Sequence, residues 1–310
     1  MVYHKRKAIA HLEKSLQINP EYLPSLFLLC ESYFEQNENE LAIECLDRIK
    51  NIDPENPKYL FFRSKVALKN GDLTLAKELT DRCFSNKYFD LDILKLGLRI
   101  AKTLKSNKDK IFVLENWILH HDASVNEYLE LAKSLDQPCH YEKACYYFQV
   151  AQELDPANIQ VLIESARFHL VAKQELSDGT VVSKKNQERA KTILNKALTI
   201  DKDSLEAISM LGDISFNENK FSEAKTYFNQ CYKANFKKDF YLLKLAKIAE
   251  ESSQSNLQEK LLIEATSFGD LTSLAYAEIL KLKLRKSKYK DALSAGLWAI
   301  KHYRRRIRSI

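Results

Sequence analysis

The chain has 310 residues, 45% of them hydrophobic and 29% charged, with only six Gly and six Pro. That apolar content suffices for a sizeable core and excludes wholesale disorder, while so few Gly and Pro exclude a loop-rich or all-β fold. The net charge of +6 belongs to the ends: Lys5, Arg6, Lys7, Lys301, Arg304, Arg305, Arg306 and Arg308 outweigh it, leaving a slightly acidic body that makes a poor phosphate-binding surface.

From the N-terminus, residues 1–22 read as one helix, Ala8 to Asn19, closed by Pro20. Pro20, Pro54 and Pro156 each end a similar phrase (LQINP, KNIDP, QELDP); Pro54 lies 34 residues after Pro20, and Pro156 three times that distance after Pro54. Such a period marks a repeat array. Reading inward from the prolines gives Leu26, Leu29, Cys30, Tyr33, Ala42, Leu46 and Ile49 in one unit. Tyr128, Leu131, Ala132, Leu135, Ala144, Phe148 and Ala151 follow in another, and Ile208, Leu211, Gly212, Ser215, Ala224, Phe228 and Cys231 in a third. Steps of 3, 4 and 7 put these residues on one helix face, and Asn37, Asn39, Gly71 and Asn219 break each unit into two helices. A single helical hairpin cannot bury its apolar face; stacked hairpins can.

These residues resemble the tetratricopeptide repeat, which has large side chains at motif positions 4, 7, 11 and 24, small ones at 8, 20 and 27, and Pro at 32. Ala42, Ala76, Ala144, Ala190, Ala224 and Ala292 occupy position 20, and Leu46, Phe148, Leu194, Phe228 and Leu262 position 24. The resemblance covers nearly the whole chain. It implies an all-α, right-handed superhelical solenoid: a half repeat at 1–22, then repeats starting near 23, 57, 91, 125, 159, 205, 239 and 273, and a basic end at 301–310. Two repeats depart from the pattern. The one at 91–122 has Gly97, Lys110 and Trp117 where Leu, Ala and Ala are expected, which predicts a re-angled joint, because a buried unpaired ammonium is costly. The one at 159 carries about a dozen extra residues. This insert at 171–186 is expected either to extend both helices or to protrude as a loop.

No phosphate loop, nucleophile elbow or zinc-protease motif occurs, so no catalytic site and no cofactor are expected. Cys139, His140 and Cys145 lack a second pair of zinc ligands, and His120 and His121 stand without Cys or carboxylate support. Cys30, Cys83 and Cys231 fall at small-residue positions and read as packing atoms. The Arg304–Arg306 run reads as a solvated tail. No apolar run reaches membrane-helix length, the N-terminus lacks a signal-peptide core, and the six Cys form no framework; an intracellular protein is expected.

The resemblance also implies that the first helix of each repeat lines a concave groove through positions 2, 5, 6, 9, 12 and 13. Position 9 reads Glu31, Lys65, Arg99, Lys133, Arg167, Asp213, Lys247, Lys281. Lys65, Arg99, Lys133 and Arg167, joined by Lys102 at position 12, would form a cationic ladder beside an apolar patch of Phe27, Leu28, Phe61 and Phe62. Glu130 and Glu164, three residues before Lys133 and Arg167, could instead neutralise them. The function expected is a scaffold gripping an extended or helical, acidic protein segment. A regulatory arm of a larger enzyme and an RNA-binding helical repeat are the alternatives, the latter disfavoured by the acidic body. The array opens on a half repeat and closes without a polar capping helix, which predicts a fragment, or self-association or docking through the ends.

Overall fold

The computed structural model describes residues 2–268 and 271–308, with side chains for 7–268 and 271–303. Lys5, Arg6, the arginines from Arg304 onward, Ile307 and Ile310 lie outside the described side chains. The chain divides into two compact units, 1–154 and 155–310.

The first unit opens with α1 (Val2–Ile18). Four hairpins follow: α2 (Leu23–Glu35) with α3 (Asn39–Ile52), α4 (Pro57–Lys69) with α5 (Leu73–Ser85), α6 (Leu91–Thr103) with α7 (Asn107–His120), and α8 (Val125–Ser134) with α9 (Tyr141–Leu154). The second unit holds α10 (Ile159–Val171) with α11 (Gln187–Ile200), α12 (Leu205–Asn217) with α13 (Phe221–Lys233), α14 (Lys238–Glu251) with α15 (Ser255–Ala265), and α16 (Thr272–Arg285) with α17 (Tyr289–Arg308). Within each unit every helix packs on the helices directly before and after it in sequence. The fold is an all-α array of helical hairpins.

Small residues set the close approach inside each hairpin. Cys30 and Ala42 are fully buried, with Cys30 Sγ 3.7 Å from the Ala42 carbonyl. Ser64 takes the same place one repeat on and lies 2.8 Å from both the Ala76 carbonyl and Thr80 Oγ1. A Cβ on Gly212 would stand 2.6 Å from the Phe228 ring, so that aromatic fits only against a glycine. Turns are equally regular: Asn37, Gly71, Lys105, Asn219, Ser253 and Ser287, all at motif position 15, have positive φ. The backbone there bonds back across the helix end, as in Glu38 N to Tyr33 O (2.9 Å) and Asp72 N to Ala67 O (3.0 Å).

The insert does not extend the helices; it takes the loop alternative in an ordered form. It is an exposed antiparallel pair, β1 (Lys173–Glu175) and β2 (Val181–Ser183), with Lys173 opposite Ser183. The Ser-Asp-Gly stretch explains this: Gly179 takes φ +81°, and Asp178 Oδ1 accepts from Thr180 N at 2.9 Å. Two backbone bonds close the base, Lys184 N to Ala172 O (2.9 Å) and Asn186 N to His169 O (2.8 Å).

In the repeat at 91–122, volume is exchanged rather than lost. Phe84, from α5, fills the space beside Gly97, where a Cβ would lie 2.9 Å from its ring tip. Trp117 is buried, and Lys110 is half-buried and lines an open niche.

Candidate partner-binding face

The first helices α2, α4, α6 and α8 share one face of the first unit, and the residues singled out above divide along it. Phe27 and Phe62 are 7% and 4% exposed, so they belong to the core. Phe62 stacks on Phe34 at 5.7 Å, bridging α2 and α4. Leu28, at 50% exposure, and the half-buried Phe61 are what remain of the apolar patch. Lys65 lies over Phe61 (5.1 Å) and Phe62 (5.7 Å), and Lys58 caps Phe27 at 5.2 Å while pairing with Glu31 at 2.7 Å. At this end the cations are committed to aromatic faces and to a carboxylate.

Farther along, the balance changes. Arg99 is exposed on α6 and forms no ion pair among the described residues. Lys102, one turn later, reaches Glu130 on α8 at 2.6 Å. Beside that pair opens a niche of about 530 Å³, lined by Lys110, Asn126, Leu129, Glu130, Lys133 and Ser134. The lysine that looked misplaced for packing thus joins Lys133 in lining this recess. Ser124 and Glu127 fix the start of α8 with a reciprocal capping box, which holds Asn126 and Glu130 in place.

Arg167 belongs to the second unit and lies 3.7 Å from Glu164 and 3.8 Å from Glu206, between two carboxylates. The second unit also has a cluster that the position-9 reading passed over. Lys244 sits over Phe216 (5.6 Å) and Phe240 (5.3 Å) and 3.0 Å from Asp213. Its signal was present in sequence, as aromatics at position 12 of one repeat and position 2 of the next, but no cation at position 9 pointed there.

Burial pushes the Cys30 and Cys83 thiols up to about 12, so both are protonated packing atoms. His120 stacks on Phe89 at 4.8 Å and His121 Nε2 meets the Phe89 carbonyl at 2.6 Å, so both rings serve the α7 terminus. Among the described residues, no three of His, Cys, Asp and Glu are grouped to hold a metal ion, and no helix is long and apolar enough to cross a membrane.

Paired helices at a 34-residue period define a helical-repeat protein. Residues 6–66 and 205–238 match tetratricopeptide repeat families, and the chain is a tetratricopeptide repeat protein. No curated protein matches it in sequence. Solved structures share its fold. The C-terminal part of a tetratricopeptide repeat-containing protein from Cytophaga hutchinsonii superposes with a TM-score of 0.57 at 14% identity, covering 76% of this chain and 92% of that one. A tetratricopeptide repeat protein from Parabacteroides merdae gives 0.55 at 13% identity, with 79% and 93% covered. YrrB, described as having an unusual peptide-binding site, gives 0.50 at 16% identity, with 64% and 95% covered.

Proposed function

We propose that this chain is a non-catalytic scaffold that holds an extended or helical, acidic segment of a partner protein across α4, α6 and α8. The observation that carries this reading is the niche beside Lys110 and Lys133. It opens where Glu130 is already engaged by Lys102, with the unpaired Arg99 on the same face. Lys65, Arg99, Lys102 and Lys133 steer and orient the segment, since exposed charge pairs contribute only about 0–1 kcal/mol each. Leu28 and Phe61 supply apolar contact; Phe27 and Phe62 support them from beneath. A fold shared with a peptide-binding protein agrees with this use of the surface.

A synthetic Glu-rich peptide and its Gln-substituted counterpart serve as probes. Arg99→Glu with Lys133→Glu slows association of the acidic peptide and flattens its salt dependence, whereas Phe61→Ala speeds dissociation. Arg167→Glu, at a site already between carboxylates, leaves both rates alone. Equal rates for wild type and the double reversal, with the helical signal intact, would overturn the reading.

A further inference from the structure

A second surface stands out when equivalent positions are compared down the array. Motif position 25, on the second helix of each hairpin, reads Asp47, Asp81, Glu115, Gln149, Asn195 and Asn229. All of these are exposed or half-exposed, as polar side chains should be. The last two repeats break the series with Ile263 and Leu297, which are 55% and 62% exposed. On α17 the apolar surface extends to Leu293 (67%) and Ile300 (54%), with Trp298 beside it (42%).

These side chains are not the buried seam of α17. That seam is already filled: Ala292 and Ala295 are buried, and Ala295 shares a core cluster with Leu262 of α15 and Ile279 and Leu282 of α16. Ile263 follows Leu262 directly and turns outward, so α15 and α17 present their apolar residues on the outer side of the same packed layer. Leu293, Leu297 and Ile300 follow the i, i+4, i+7 spacing that receives another helix. A further repeat would not cover position 25. In six repeats that are followed by another, this position faces solvent.

Among the described residues, the charges of the rim that form no ion pair are lysines. Lys260, Lys290 and Lys301 are exposed, and Lys301 lies over Trp298 at 4.4 Å. The neighbouring acids are engaged elsewhere. Glu259 holds Lys283 (2.5 Å) and Lys286 (3.1 Å), Asp291 is 3.8 Å from Lys283, and Glu264 accepts from the Tyr232 hydroxyl at 2.6 Å. A second copy docking through the same patch would set lysine against lysine.

We propose that Ile263, Leu293, Leu297 and Ile300 form a docking surface for an amphipathic partner helix with an apolar stripe and acidic flanks. It is distinct from the face of the first helices and does not depend on the reading given for that face. Contiguous exposed apolar surface with a polar rim is the signature of such a site.

The test uses the full chain and two synthetic amphipathic helices of about 20 residues with the same Leu stripe, one flanked by Glu and the other by Lys. Binding is followed by calorimetry and Trp298 emission. The Glu peptide binds saturably and more weakly at high salt, and the Lys peptide does not bind. Leu293→Gln with Leu297→Asn makes both side chains polar, the Asn matching Asn195 and Asn229 at position 25 of interior repeats. It weakens binding by roughly tenfold or more without lowering the melting temperature. Lys290→Glu with Lys301→Glu reverses the preference between the peptides. The proposal fails if the Glu peptide does not bind, if it binds the Leu double variant as well as wild type, or if both peptides bind alike. It also fails if the patch instead mediates dimerisation in sedimentation, or if only vesicles containing phosphatidylserine engage it.

Discussion

The two units treat a cation on a first helix differently. In the second unit most have a carboxylate at hand: Arg167 has Glu164 and Glu206, Lys244 has Asp213, Lys247 has Glu250 at 2.7 Å, and Lys281 has Glu278 at 2.7 Å, while Lys238 instead lies over the Tyr232 and Phe268 rings. In the first unit, Lys58 and Lys102 are paired in this way, but Arg99 is not. The same residue type at the same motif position is therefore a solvated pair in one place and available charge in another. What decides is the next first helix: Glu206 on α12 completes the site around Arg167, whereas Glu130 on α8 is taken by Lys102.

The largest effect that would separate the units is acid sensitivity of the second. His169 is 3% exposed, its Nδ1 has no hydrogen-bond partner among the described residues, and burial, aided by Arg189, pushes its pKa down to about 4. The folded-state value lies below the unfolded one of about 6.5. The stability this neutral ring contributes is therefore complete above about pH 6.5 and is lost as pH falls toward 4. The loss is on the order of 3 kcal/mol. Hydrogen exchange along the chain should show α10 and α11 loosening over that window in wild type but not in His169→Phe. Identical pH slopes for the two proteins would refute the assignment.

A smaller contrast concerns the two packed glycines. Gly212→Ala drives a methyl to 2.6 Å and 2.8 Å from Phe228 ring atoms and should cost about 1–3 kcal/mol, despite alanine's better helix propensity. Gly97→Ala meets mainly the tip of the Phe84 ring, at 2.9 Å, and should cost less. Chemical denaturation of both variants ranks them; the reverse order would mean that the second unit relaxes more easily than the first.

Much of this was legible in the sequence, because the repeat reports each packing position several times. Ala42, Ala76, Ala144, Ala190 and Ala224 all reach complete burial, as an alanine between two close helices must. Burial on the binding face was harder to read. A motif position says which way a side chain leaves its helix, but not whether a neighbour such as Phe34 closes over it, which is how Phe62 enters the core. For Lys110 the motif position likewise gave no sign of the adjacent recess that its flexible stem reaches. The insert escaped because three-residue strands are too short to show a period.

The smallest predicted effect is at the turns. Lys105 holds φ +54° at the position where Gly71 sits at +81°. Lys105→Gly should raise stability by up to about 1 kcal/mol by removing left-handed strain from a side chain that makes no turn bond of its own. An unchanged midpoint with an unchanged denaturant slope would show that the strain is negligible.

Contact mainly between sequence neighbours also bears on how the chain is made. A first helix finds its partner after a turn of a few residues, so the entropy of closing that loop is small and the search is short. Each hairpin can settle soon after leaving the ribosome, and the next one adds to a surface already formed. Synthesis of either unit then proceeds as growth from one end, with no long wait for a distant strand to complete the core.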